Sequence, residues 1–514
     1  MEIKQISSPA PVAHHRRLYQ TVLLSVGLLC IVAAAQVWVF TAGWKGFPEY
    51  TNKYMRLARG FLHGQVSLLE KPSAKLLAVK DPYDPVQSNP FRDPYLHDVA
   101  LFHGKYFLYW GPVPAGFITL VSWIIRDPMP DMGDQYFVLA FMFGTAVLAT
   151  SLMLQIRSVF FPDLSNWSIA PPLLSLGLGT PMLFTLARSG VYEAAICGGQ
   201  FFLMAGLCCA LAGIARVRPR LLALTGIFWT LSIGCRISLL PAIGMMTLIA
   251  LWRIWHVSRM QNSPISPWKT ATALCLPLAV GGVLYAWYNF IRFQSLTEFG
   301  TTYLLAGAEA HRLGSPDFFT LGHLIPNLYR YLFDAPKWQR QFPFALADHD
   351  NKYLIAFFHL NKDYAMEPLT GLAWSQPFLI FSLVSLPWVF ATTPAPAISD
   401  TLANDRSLRA WLVASLLSAA LIGIAPPLAL VLSTMRYLMD CAPAAAVLAC
   451  IGFWYALRGV RDRPVLRGAF IAAVILIVLA EIVLGLLMGV SGYLEHFKLH
   501  NSQLYEVMVR RFSF

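Results

Sequence analysis

Apolar runs of roughly 18–24 residues recur along nearly all of this 514-residue chain. That is the length a helix needs to cross the ~30 Å hydrocarbon core of a bilayer. The chain is 57% hydrophobic and only 13% charged, too apolar to stay folded in water at this size. It therefore reads as an all-α polytopic membrane protein. The candidate spans are 18–40, 136–156, 167–187, 194–214, 221–235, 237–252, 270–288, 372–391, 410–431, 437–457 and 468–490, about eleven transmembrane helices. His14, His15, Arg16 and Arg17 ahead of Leu18–Phe40 give the look of a signal peptide. The run is too long for one and no small-residue cleavage site follows, so a retained first span is expected.

A further apolar helix, about 107–125, decides the orientation of everything after it. If it does not cross, thirteen basic residues fall on the cytoplasmic side: Arg157, Arg216, Arg218, Arg220, Arg253, Arg259, Lys269, Arg406, Arg409, Arg458, Arg461, Arg463 and Arg467. Only four acids accompany them, Asp163, Asp400, Asp405 and Asp462. If it does cross, all of these move outside, against the positive-inside rule. The helix is therefore placed at the outer surface, and residues 41–135 become one long extracytoplasmic loop. The net charge of +12 is spread singly over such loops and forms no nucleic-acid patch. The eight cysteines fall in or beside apolar segments, without disulfide or zinc spacing.

The long loop carries a polar island, Asp81–Trp110, with Asp81, Asp84, Asp93, Asp98, His97 and His103. Residues 289–371 form a second outer region, with Arg292, Glu298, His311, His323, Asp334, Asp348, Asp350 and Asp363. Within the first loop, Tyr54, Leu57, Ala58, Phe61 and Leu62 share one helical face, and Lys53, Arg56 and Arg59 the other, as in an interfacial helix.

Ionisable groups at membrane depth are costly, so those that persist are candidates for function. Joining a hydroxyl nucleophile to a centre that loses phosphate needs a carboxylate to take or orient the proton, and cations to hold the phosphate. Asp98, Glu49 and Glu193 are the candidate catalytic acids. Arg236, Arg292 and Arg436 are candidates for holding phosphate. Asp81, Asp84, Lys105, Tyr109, Glu298 and Asp440 are candidates for substrate contact. Each has a plainer alternative. Asp81 and Asp84 in DPYDP suit Asx–Pro turns, and Glu193 suits a helix N-terminus. Arg292 and Glu298 pair with each other in one reading, as do Arg436 and Asp440, four residues apart. A divalent cation, Mg or Mn, between outer carboxylates stays open; a transition-metal site is not expected.

At these residues the chain resembles the multi-spanning GT-C glycosyltransferase superfamily, which includes protein O-mannosyltransferases and lipid A aminoarabinose transferases. PEYTNKYMRLARGFLHGQ looks like that superfamily's acid–tyrosine–helix segment after the first span, which puts Glu49 at the usual catalytic aspartate. KYFLYWGPVPAGFITLVSWII looks like its Pro-containing second surface helix, and Glu193 falls where a second outer-turn acid is expected. HDVALFHGKYFLYWGPVPA, YNFIRFQSLTEFG and TMRYLMDCAP resemble segments of uncharacterised bacterial GT-C-like membrane proteins. Two departures stand out. Glu49 replaces the usual Asp, so the base is divided between Asp98 and Glu49, Asp98 favoured because it lies in the sharper segment. The 289–371 loop is also too short for a sizeable soluble domain.

The resemblance implies a GT-C-like transmembrane module over 1–288, with surface helices in its outer loop. The 289–371 loop, further transmembrane helices over 372–490 and an outer tail over 491–514 follow. It implies a bacterial inner-membrane enzyme acting on the periplasmic side, moving a sugar from a polyprenyl-phosphate donor to an extracytoplasmic glycan, lipid or protein, with no nucleic-acid partner. The competing class is a transporter or flippase for a lipid-linked or amphipathic substrate. It would favour internal repeats and matched interrupted helices, which the sequence does not display.

Overall fold

The computed structural model describes residues 11–126, 131–260, 266–305, 318–349, 352–360, 364–391, 402, 404–493 and 495–513, without the side chains of 11–16 and 260. His311, Asp350, Asp363 and Asp400, and the side chains of His14, His15 and Arg16, lie outside the described residues.

Among the described residues nine helices are long and apolar enough to cross a membrane: Arg17–Phe40, Gln135–Phe160, Asn166–Leu186, Val191–Ala215, Ile237–Arg259, Pro267–Phe293, Arg406–Leu428, Ala442–Gly459 and Pro464–Ser491. The other two expected spans are shorter. Residues 221–235 lie in Pro219–Cys235, which is 17 residues long and ends at Arg236 in an extended conformation. Residues 372–391 are cut at Gln376–Pro377 into Leu372–Ser375 and Pro377–Trp388. The apolar helix of uncertain parity is Val113–Ile125, 13 residues. At 1.5 Å per residue it rises about 20 Å, short of the hydrocarbon core.

Two expected spans are themselves interrupted, which the hydropathy pattern hides. Residues 167–187 break at Gly179, between Ala170–Leu178 and Thr180–Leu186, where Pro181 has no N–H to give. The carbonyl of Ser175 near that break accepts from Gln376 Nε2 at 2.9 Å as well as from Gly179 N, so the backbone polarity is met inside the protein, as a membrane requires. The helix from Arg406 passes through a π turn at Ser418–Ile422 before Pro426 and Pro427. Glu481, inside the last span, accepts from the amide of Phe378 just after the Gln376 break.

Charged groups separate to the two ends of the bundle. Gln135–Phe160 begins beside Asp134, which accepts from Thr51 Oγ1 and from the backbone amides of Lys53 and Tyr54. Twenty-six residues further, about 39 Å along the axis, it ends near Arg157 and Asp163. At that far end Arg458 and Arg461 pair with Asp163, and Arg253 pairs with Asp405. The charged groups of the 41–135 loop gather at the near end. Cysteine placed at Asp131, an exposed residue paired only at the surface with Arg59, should react with a membrane-impermeant maleimide from the outside of intact cells. Labelling solely from the cytoplasmic side would reverse the orientation.

The tail folds back on the first loop. Tyr50 Oη lies 2.9 Å from His496 Nδ1 and 3.0 Å from His500 Nε2, while His496 Nε2 sits 2.8 Å from the Val39 carbonyl. Burial pulls the His496 imidazole down from 6.5 to about 4, against the hydrogen bond to Val39. The unfolded chain then takes up this proton before the folded one. Stability is untouched above pH 6.5 and falls as pH drops towards 4, by on the order of 3 kcal/mol from this group. Thermal midpoints measured across that window should fall, and His496→Gln should flatten the decline.

Candidate functional site

The site grows from the N-terminus of Val191–Ala215. Tyr192 and Glu193 sit in its first turn, and Glu193 accepts from Gly190 N at 3.2 Å, a carboxylate at the positive end of a helix. Glu193 is 2% exposed. Around these two residues the structure arranges two groups of charged side chains.

The first group comes from the long outer loop. Ala100–Phe102 and Lys105–Phe107 form an antiparallel hairpin turned by His103 and Gly104, both at positive φ. Just before it, Asp98 takes a left-handed conformation (φ +57), tolerable for Asp, and is pinned by its amide to the Leu305 carbonyl. Its Oδ2 accepts from the Tyr192 hydroxyl, and its Oδ1 lies 3.2 Å from Nε2 of the exposed His97. Tyr109 hydrogen-bonds Tyr192 from the other side, and Trp110 meets the Tyr192 ring edge-on at 4.9 Å. The Lys53 ammonium lies over Trp110 and donates to the His97 carbonyl. Burial lowers Lys53 to about 8, partly countered by Asp98 and Asp134.

The second group joins chain segments far apart in sequence. Met435–Asp440 is a 3-10 turn, so Arg436 and Asp440 do not meet as an i,i+4 pair would. Asp440 instead accepts from Arg236 at 2.8 Å, and Arg436 turns to Glu367 at 2.8 Å and Glu193 at 3.8 Å. Glu367 is brought there by a parallel bridge pairing Ala365–Met366 with Leu432–Ser433. That bridge is braced by the buried Arg330, which bonds Asp334, Ser433 Oγ and the Asp348 and Glu367 carbonyls. Burial pushes the Glu367 carboxyl up, yet Arg436, the Thr434 and Tyr493 hydroxyls and Arg188 outweigh it and hold it below the usual range. Arg236 and Arg436 both approach the Tyr437 ring, at 5.2 and 5.5 Å, and Arg188 covers Tyr493 at 4.1 Å.

Of the sequence candidates, the structure thus brings together Asp98, Tyr109, Glu193, Arg236, Arg436 and Asp440. Glu49 is exposed, one residue before Tyr50 of the tail cluster. Arg292 stands apart: it donates to the Leu108 carbonyl and to Asn289, and lies over Tyr288. It does not pair with Glu298, which caps its own loop at Gly300 N and Thr302. Asp81 accepts from Tyr83 N, and Asp84 caps Pro85–Ser88, both in turns. Lys105 is exposed on the hairpin. Sequence reading passed over Arg188 and Glu367, and placed Lys53 on the polar face of its helix, where the structure buries it at 4% exposure. Arg188 sat in plain view in RSGVYE, five residues before Glu193; Glu367 carried no local signal.

Arg188, Lys53, Arg236 and Arg436 face Asp98, Glu193, Glu367 and Asp440, four cations against four anions. Among the described residues Arg188 Nη1, Arg236 Nε and Arg436 Nε are buried donors without an acceptor. Leaving such donors unmet costs about 1–3 kcal/mol each, and an anion among them would remove that cost. For a divalent cation the fit is poor. Among the described residues no three Asp, Glu, His or Cys side chains converge, and the cluster's acids are engaged by their own partners.

The fold and site define an α-helical polytopic membrane protein with a cluster of charged side chains at one end of its bundle. Solved structures similar to it include archaeal oligosaccharyltransferases, at 10–12% sequence identity. One is the archaeal oligosaccharyltransferase AglB from Archaeoglobus fulgidus in complex with an inhibitory peptide and a dolichol-phosphate (12% identity, 91% of this chain, 55% of that chain, TM-score 0.45). Another is the apo form of the A. fulgidus oligosaccharyltransferase (12% identity, 90% of this chain, 55% of that chain, TM-score 0.44). The chain spans about 55% of these neighbours' length. No protein-family profile matches the sequence, and no curated protein matches it.

Proposed function

We propose that this protein is a membrane glycosyltransferase that moves a sugar from a polyprenyl-phosphate donor to an acceptor hydroxyl outside the cytoplasm. The observation that carries the reading is the buried set of unmet guanidinium donors on Arg188, Arg236 and Arg436, beside a carboxylate held near the surface, Asp98. Buried arginines suit a phosphate leaving group that must be held without water.

In this mechanism the acceptor hydroxyl passes its proton to Asp98 as its oxygen bonds to the anomeric carbon. The bond from that carbon to the phosphate oxygen breaks, and the polyprenyl phosphate leaves as an anion held by the three arginines. Tyr192 keeps Asp98 oriented through its hydroxyl. Glu193 and Glu367 hold Arg436 in place, and Asp440 holds Arg236. Lys53, buried and still largely charged at neutral pH, stabilises the Asp98 carboxylate between turnovers.

The test is purified protein in detergent with radiolabelled polyprenyl-phosphate sugars and a panel of glycan, lipid and peptide acceptors. Label should move to an acceptor with the wild-type protein and not with Arg236→Met. A failure of every donor to lose its sugar, with donor instead crossing vesicle membranes, would replace the enzyme by a flippase.

A further inference from the structure

At the opposite end of the bundle lies a cavity of about 350 Å3 that the reaction above does not use. Its walls come from the start of the first span (Arg17 and Gln20), the connection into the third (Asp163 and Asn166), and the turn and first residues leading into the last (Arg461 and Arg467). Asp163 is the only acid on this wall, and it is already engaged by Arg458 and Arg461. Among the described residues Arg17 and Arg467 have no ion-pair partner. Asn166 is fixed between Thr21 and Gln20, so it and Gln20 present an ordered polar floor.

Positive-inside orientation alone asks for basic residues in loops. It does not ask for three guanidinium groups around one concave space. Arginine forks match the two free oxygens of a phosphate diester, and the volume falls within the range of small-ligand sites. The flanks favour a lipid over a soluble anion. Both helices beside the cavity turn large apolar side chains outward: Val22 and Leu23 on the first span, Val465 and Leu466 at the start of the last. Acyl chains would lie along those surfaces while the phosphate enters between the arginines, as basic pockets at helix ends take anionic headgroups.

We propose that this cavity is a binding site for the headgroup phosphate of an anionic phospholipid. It is about 39 Å from the charged cluster, the length of Gln135–Phe160, and is independent of the reaction proposed there.

The experiment compares retention of phosphatidylglycerol and phosphatidylcholine by native mass spectrometry of the full chain, together with thermal midpoints. Wild-type protein should retain phosphatidylglycerol preferentially and be stabilised by it. Arg17→Gln with Arg467→Gln should weaken retention roughly thirtyfold, two charges' worth. Arg17→Lys with Arg467→Lys, which keeps the charge and loses the fork, should retain the lipid better than the double Gln variant and less well than wild type. Equal retention of both lipids, or unchanged retention in the double Gln variant, would overturn the proposal. Stabilisation by millimolar inorganic phosphate equal to that by phosphatidylglycerol would assign the cavity to a soluble anion and overturn the lipid.

Discussion

Replacing Arg436 by methionine should produce the largest single loss in this protein, in stability and in transfer together. The guanidinium stands between Glu367 and Glu193, at 2.8 and 3.8 Å, and is 6% exposed. Without it the buried Glu193 and the partly buried Glu367 lose the cation between them, and only Arg188 remains near Glu367. Breaking such a pair from one side costs about 3–5 kcal/mol. Transfer should fall by about 10²–10³ beyond the loss of folded protein, the scale of removing one electrostatic contact to a developing anion. Combining Arg436→Met with Glu367→Gln separates the two effects. The neutral pair should regain most of the thermal midpoint and none of the rate. Arg436→Lys restores charge without the side-on geometry and should recover stability better than rate. A single variant with the midpoint and transfer rate of the wild type would remove Arg436 from the site.

Asp98→Asn should spare the fold and remove the chemistry. The amide is the same size and its oxygen still accepts from Tyr192, so the midpoint should change little. Loss of a positioned base costs typically about 10²–10⁴ in rate. Glu49→Gln is the matched control, because Glu49 is exposed outside the cluster; it should keep close to full rate. The reverse pattern, an active Asp98→Asn and an inactive Glu49→Gln, would move the base to Glu49.

The helices were readable because lipid leaves so few alternatives: an apolar run of span length has to be helical. The ends and breaks were not. Gly179 and Pro181 sit inside an apolar run, and only distant side chains show where the backbone at the break is met: Gln36 on the Gly177 carbonyl that Pro181 leaves without a donor, and Gln376 on the Ser175 carbonyl. Within the site, Glu193, Arg236, Arg436 and Asp440 stood out as charges in oil. Their pairings did not, because a 3-10 turn replaces the expected helical spacing and sends Asp440 to a residue 204 positions earlier. Asp134 and Glu367 look like ordinary loop acids. They are drawn into the protein by backbone contacts that no local pattern announces.

Asp134 also fixes an order of events. Its carboxylate takes the amides of Lys53 and Tyr54, 81 and 80 residues earlier, and these open the helix Lys53–Leu62. During synthesis that helix leaves the ribosome long before its anion does. This latch therefore cannot form until the chain has reached the threshold of Gln135–Phe160, and the loop's ties to Val191, Leu305 and the tail come later still. In the full chain Asp134→Ala should expose the start of Lys53–Leu62 to protease, because both amides there lose their acceptor.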